Sequence, residues 1–510
     1  MSCLVTSLTQ TADTTAPAPP LLISGGDVVN ADQTFRADVL CVDGVIAAVG
    51  LDLDVPEGTQ VVDATGLLVM PGGVDTHTHC RLPFMSTVAI DDFETGTRGA
   101  LCGGTTSIID FVIPSPGQSI LAAFDQWQEW AADAQCDFGF HVAITWWSDQ
   151  VEEEMGILTR ERGVASFKHF LAYKGALMLD DEALYNSFTR AKELGALCTV
   201  HAENGEMVYR GQMKMLEAGI TGPEGHPWSR PVECEAEATD RALRTGEFIN
   251  TPVYIVHVSC KEAMDVVARA KAAGQVCYAE VLAGHATIDD SVYFQEDKRA
   301  AMHYVMSPPF RPAGNPDALI NALAAGVADT TATDNCTFCT EQKSMGADDF
   351  TKIPNGTAGI EDRMSVLFDR MVVQGAIDVN KFVAVTSTNA ARIFNMYPRK
   401  GVIAVGSDAD ICVMDPNAKR VISVNTHHVK VDFNPWEGRE VTGVPAFTVC
   451  AGRLVWKAVI ADGVADWAAG EFSGVKGSGR YIERPCFGLP FETVPVTDKL
   501  REKQPIQRAE

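Results

Sequence analysis

Apolar positions along this chain follow two rhythms. Between residues 21 and 65 they come as short β-like runs: Leu21 to Ile23, Ala37 to Val42, and Val45 to Val49. Asp43-Gly44, between the last two, predicts a type I′ hairpin turn, because glycine adopts positive φ at little cost. From Gly66 to Asn395 the rhythm changes. Thr105 to Phe111, Phe138 to Ile144, Ala165 to Lys168, Leu197 to His201, Val253 to His257 and Val276 to Glu280 read as strands. Between them, segments such as Asp181 to Leu194 and Cys260 to Ala273 carry apolar residues at helical spacing. Strands alternating with helices imply a parallel sheet, and about eight such units imply an α/β fold, a closed (β/α)₈ barrel of TIM type.

After the barrel, β-patterned runs return at Asp410 to Met414, Arg420 to Val424, Phe447 to Cys450 and Arg453 to Trp456. They predict a smaller β-sandwich domain built from both chain ends. The expected organisation is a mobile N-terminal tail at 1–20, the first part of the sandwich at 21–65 and the barrel at 66–395. The second part of the sandwich follows at 396–470, and a C-terminal arm or tail without clear periodicity at 471–510.

Composition narrows the partners. The chain has 510 residues, 46% apolar and 21% charged, with a net charge of -26, which argues against a nucleic-acid or anionic-membrane surface. No apolar stretch is long enough to span a bilayer, and no basic and apolar leader opens the chain. Residues 1–20 contain no Arg, which argues against a mitochondrial presequence. Fourteen cysteines without a disulfide spacing fit reduced thiols and a cytoplasmic enzyme. Cys336 and Cys339 form a Cys-x-x-Cys pair, but no second pair accompanies them, and they read as two loop thiols.

Candidate chemistry collects at strand ends. In Gly73-Val74-Asp75-Thr76-His77-Thr78-His79 a period of two turns both histidines to one side. His201 and His257 each end an apolar run, and Asp334 follows another from Val327 to Thr333. A catalytic metal needs about three protein ligands and an open position, so this set suffices for two metals that share a bridge. Lys168, which ends Val164 to Phe167, can bridge only if its neutral amine captures carbon dioxide as a carbamate.

These residues stand in segments that resemble the hydantoinase/dihydropyrimidinase family of the amidohydrolase superfamily. The matching segments are Pro71 to His79, Ser166 to Lys174, Val200 to Gly205, Val256 to Ser259, Tyr304 to Pro309, Thr333-Asp334, Ile353 to Gly356 and Gly406 to Asp410. The resemblance implies two divalent metals, usually zinc, bridged by N6-carboxylated Lys168. His77, His79 and Asp334 would hold one, and His201 and His257 the other. A hydroxide between them would attack a ring amide, with Asp334 relaying the proton and Tyr173 donating to the oxyanion. Ser307 and Asn355 match positions that hold a small cyclic amide or ureide, and Leu82, Pro83 and Phe84 resemble an apolar lid. The implied reaction opens 5,6-dihydrouracil and dihydrothymine to N-carbamoyl-β-amino acids in pyrimidine degradation, in a homotetramer.

Two positions depart from the family pattern. Asn335 stands where histidine is expected, and Arg81 completes a His-x-His-x-Arg pattern like that of dihydroorotases, whose arginine holds a substrate carboxylate. A hydantoinase or dihydroorotase type of cyclic amidase is therefore the alternative. A non-catalytic scaffold like the collapsin response mediators is a third reading, disfavoured because all five metal-binding side chains and Lys168 are present.

Overall fold

The computed structural model describes residues 19–506. The tail expected over 1–20 lies outside the described residues except for Pro19 and Pro20. Eight parallel strands form the barrel wall: Gly73–Thr78, Thr105–Val112, Asp137–Ile144, Ser166–Phe170, Leu197–His201, Val253–Ile255, Cys277–Leu282 and Thr330–Ala332. Every residue of Thr105–Val112 and of Asp137–Ile144 is buried. A parallel sheet covered on both faces has this consequence, so its strands read as nearly unbroken apolar runs.

Helices cover the wall. In Asp181–Leu194 the buried Leu184, Phe188 and Ala191 recur at helical spacing, Asp180 caps the start by accepting from the Ala183 N–H, and Gly195, at φ 67°, ends it. Full burial of Leu184 or Phe188 contributes about 1.5–3 kcal/mol each, against roughly 1 kcal/mol for the cap. Packing on the barrel outweighs the cap in holding this helix.

The first and last strands close the wall through side chains as well as backbone. The Asn335 carbonyl accepts from the His79 N–H at 2.9 Å. Asp75 accepts from the Thr333 N–H at 3.1 Å and from its hydroxyl at 2.6 Å. Arg363 Nη1 donates to the carbonyls of Val74 and Thr331, one on each side of the seam.

The β-unit from the two chain ends is a nine-stranded mixed sheet. The Asp43-Gly44 hairpin forms between Thr34–Val42 and Val45–Gly50, with φ of 50° and 80°. The strand just before the one that carries His77 belongs to this sheet and not to the barrel wall. Leu68–Pro71 pairs with Leu21–Val29 on one side and Ile411–Val421 on the other, joining the two ends of the chain. Gly72 makes the break: its N–H donates to the Asp410 carbonyl, and a Cβ there would meet Thr106 Oγ1 at 2.1 Å.

Beyond Phe472 the chain runs round the N-terminal rim of the barrel. The Gly479 N–H donates to the Ala134 carbonyl, that of Arg484 to Gly163 and that of Phe487 to Gly195, each acceptor lying just before a strand. Helix Val494–Arg501, which the sequence pattern did not reveal, reaches Asn250, whose side chain donates to Asp498 at 2.8 Å. Asp137, Asp408 and Asp410 come within metal-binding distance of one another, but an ammonium already sits among them. Lys400 Nζ lies 2.5 Å from Asp137 and 2.9 Å from Asp408, and Arg480 joins both carboxylates from the rim segment.

Candidate active site

The candidate ligands meet where the barrel strands end. His77 Nε2 lies 3.2 Å and His79 Nε2 3.0 Å from Asp334 Oδ1. His201 Nδ1 lies 2.9 Å from His257 Nε2. The ligand atoms of His77, His257 and Asp334 fall within 4.8 Å of one another. His257 and Asp334 lie two residues beyond their strands, with φ of 40° and 53°. Such left-handed backbone is costly for residues other than glycine and clusters at functional sites.

Burial holds His77, His201 and His257 below the usual imidazole range, so they present neutral nitrogens. Burial opposes ionisation of Asp334, but His77 and His79 outweigh it and hold the carboxyl below its ordinary range. Neutral imidazoles beside an ionised carboxylate are the donor set a divalent cation requires. The residues fit a metal centre.

Lys168 lies among them, 1% exposed. Its Nζ sits 4.5 Å from the Phe111 ring and 5.2 Å from that of Phe170, and it makes no ion pair among the described residues. Burial pulls it down to about 7, against Asp334 and Glu280, which favour the charge. A lysine so placed has a substantial neutral fraction at neutral pH.

Two carboxylates orient the histidines, and the sequence reading gave neither a role. Glu280 Oε1 lies 2.7 Å from His77 Nδ1 and accepts from the His257 N–H, while Oε2 accepts from Thr76 and Tyr254. Glu203 Oε2 lies 2.8 Å from His201 Nε2 and accepts from Arg230. The contacts leave the other nitrogen of His77 toward Asp334 and that of His201 toward His257, the usual part of an outer carboxylate in a metal site. A carboxylate ending one apolar run and another just past His201 were the available signals.

A pocket of about 440 Å³ opens over the candidate ligands and brings them together with the candidate ring contacts. His77, His79, Lys168, His201, His257 and Asp334 line it with Tyr173, Ser307 and Asn355. Tyr173, at φ 62°, aims its ring into the mouth beside Phe84, 5.4 Å between centroids. Burial pushes its hydroxyl up to about 12. Leu82 and Phe84 line the apolar side, and Pro83 does not.

The departures resolve differently. Arg81 is absent from the pocket lining: its left-handed backbone turns the side chain onto Trp130, 5.1 Å from the ring centroid. Asn335 accepts from the Gly359 and Ile360 N–H groups, a seam role that needs no titration. Cys336 lines the pocket as a free thiol, whereas Cys339 starts the short helix Thr340–Lys343.

Residues 68–455 match the amidohydrolase family. The chain is 51% identical over 485 residues to a dihydropyrimidinase of Dictyostelium discoideum, covering 95% of this chain and 94% of the relative. It is 50% identical over 501 residues to a dihydropyrimidinase of Rattus norvegicus, covering 97% and 94%. Its fold is similar to the crystal structure of a dihydropyrimidinase from Brevibacillus agri, with a TM-score of 0.88, 43% identity, and coverage of 92% of this chain and all of that one.

Proposed function

The chain belongs to the amidohydrolase family, and from that premise we propose that it hydrolyses the ring amide of 5,6-dihydrouracil and dihydrothymine. The products are N-carbamoyl-β-amino acids, and hydantoins are secondary substrates. One observation carries the reading: six candidate metal-binding side chains and three candidate ring contacts face a single pocket.

His77, His79 and Asp334 would hold one divalent cation and His201 and His257 the other, with Lys168, carboxylated at Nζ, as the ligand shared between them. When bound, the two cations, zinc by resemblance, supply Lewis acidity and lower the pKa of the attacking water. Ser307 and Asn355 hold the ring so that its carbonyl faces that water. Tyr173, protonated at neutral pH, donates to the carbonyl oxygen as negative charge grows there. Asp334 takes the proton of the attacking water and returns it to the ring nitrogen as the carbon–nitrogen bond breaks. The water oxygen remains on the former carbonyl carbon as a carboxylic acid, which gives its proton to solvent and leaves as the carboxylate.

Apolar Leu82 and Phe84 at the mouth suit a ring with a hydrogen or methyl substituent. Arg81, turned onto Trp130, offers no partner to a substrate carboxylate, which disfavours dihydroorotate. The full set of side chains disfavours a non-catalytic scaffold. The same reading places the protein in the cytoplasm as a homotetramer, supported by free buried thiols and by the family resemblance.

The deciding experiment is a parallel ring-opening assay on dihydrouracil, hydantoin and dihydroorotate with metal-loaded protein. Preference for dihydrouracil is expected. Preference for dihydroorotate would overturn the substrate, and no turnover of any ring with metals bound would favour the scaffold.

A further inference from the structure

The amine of Lys343 is buried at zero exposure, and among the described residues it forms no ion pair with a carboxylate. Its Nζ donates instead to three carbonyls: Val305 at 2.7 Å, Pro354 at 2.7 Å and Gly356 at 2.6 Å. In its protonated form these use all three of its N–H donors. Burial pulls its pKa down to about 7, a sign of how unfavourable the place is for a cation. An apolar residue would escape that cost but would strand three buried acceptors.

The three carbonyls come from two segments that both line the pocket. Val305 lies two residues before Ser307, and Pro354 and Gly356 flank Asn355. The segments also touch directly: Asn355 Nδ2 donates to Ser307 Oγ at 2.9 Å, and the Gly356 N–H donates to the Val305 carbonyl at 3.0 Å. Two buried histidines hold the rest of the first segment. His226 Nε2 donates to the Met306 carbonyl at 2.7 Å and His285 Nε2 to that of Pro308 at 3.0 Å. Among the described residues none holds the Ser307 carbonyl between them. Main chain fixed on both sides of a free acceptor at a pocket wall is arranged to receive a ligand N–H.

We propose that Lys343 is a positioning residue for the ring substrate: by gripping one carbonyl ahead of Ser307 and two around Asn355, it sets the separation of the two segments that hold the ring. The inference rests on the reading that Ser307 and Asn355 contact the substrate. Lys343 itself is absent from the pocket lining, so its effect on the ring passes through these carbonyls. Because the metal-binding side chains come from other segments, the clamp governs binding of the ring more than the chemical step.

Lys343→Met removes the ammonium and keeps most of the stem. At full metal content this variant is expected to raise KM for dihydrouracil about tenfold while kcat falls less than about threefold, the split for a contact made alike before and during reaction. Lys343→Arg keeps charge and donors on a wider head, and should raise KM about threefold. A Lys343→Met protein with a lowered melting temperature and an unchanged KM has lost only a structural group, which overturns the proposal. If Lys343→Met does not accumulate folded, Lys343→Arg decides, and an unchanged KM there overturns it. Asn355→Ala separates the two levels of inference. An unchanged KM in Asn355→Ala removes the reading of the ring contacts, and the proposal with it. A raised KM in Asn355→Ala beside an unchanged one in Lys343→Met removes the proposal alone.

Discussion

Glu280 holds His77 by the nitrogen that faces away from the pocket, Oε1 standing 2.7 Å from Nδ1, so that Nε2 is left toward Asp334. The same carboxylate also accepts from the backbone of His257. One buried group thus orients residues assigned to both metals. Glu280→Gln keeps the shape and removes the charge, and should weaken metal retention about 10- to 100-fold. Competition with a chelator, read as metal content against chelator concentration, checks this. Parent-like retention in the variant would show that His77 needs no such partner.

Lys168→Ala should lose both metal and ring opening, since the carbamate shared by the two ligand sets goes with the amine. A small carboxylic acid added in excess should restore part of each by standing in for the carbamate. Metal analysis and turnover, with and without the acid, make the test. Full metal occupancy in the variant without the acid would count against a carbamate bridge.

Arg81→Ala should leave kcat/KM for dihydrouracil within about twofold, because an exposed cation–π contact is worth only ~0.5–1 kcal/mol and this one lies on Trp130. Activity on dihydroorotate should not change either. Steady-state rates on both rings decide, and a selective loss of dihydroorotate turnover would return Arg81 to the substrate.

Asp137 predicts an acid-dependent loss of stability. Burial works against its charge, but Lys400 and Arg480 outweigh it and hold the carboxyl down to about 2. A folded pKa below the ordinary 3.8 means that its contribution is present above about pH 4 and is lost as the pH falls toward 2. Asp410, in the same cluster, is pushed up by burial and works the other way, so the comparison with Asp137→Asn isolates the effect. Denaturant unfolding from pH 3 to 7 should show the two proteins farthest apart at neutral pH and converging in acid. A difference that stays constant with pH would rule the linkage out.

The barrel was legible because burial on both faces writes each strand as an apolar run, and the candidate ligands stood out because each closes or follows such a run. His77 and His79 are read as a pair from spacing alone. Asp334 and His257 required more, because they sit beyond their strands in left-handed backbone that no local pattern announces. Glu280 and Glu203 act through contacts with residues 203 and 2 positions away, and only the second separation is visible in a sequence window. Lys343 was invisible for a related reason: its partners are backbone carbonyls, which every residue possesses. The rim segment escaped for the same cause, since main-chain bonds to Ala134, Gly163 and Gly195 impose no periodicity on Gly479, Arg484 and Phe487.

That segment also gives the molecule an order of manufacture. All eight wall strands leave the ribosome before residues 479–498 are synthesised, yet those residues supply the bonds that cover the wall's underside. A nascent chain therefore carries every strand of the wall, and Asp137 and Lys400, before it carries Arg480 and the residues that close the underside. An arrest of translation in that interval would release a particle with its reaction mouth encoded and its underside open to chaperones and proteases.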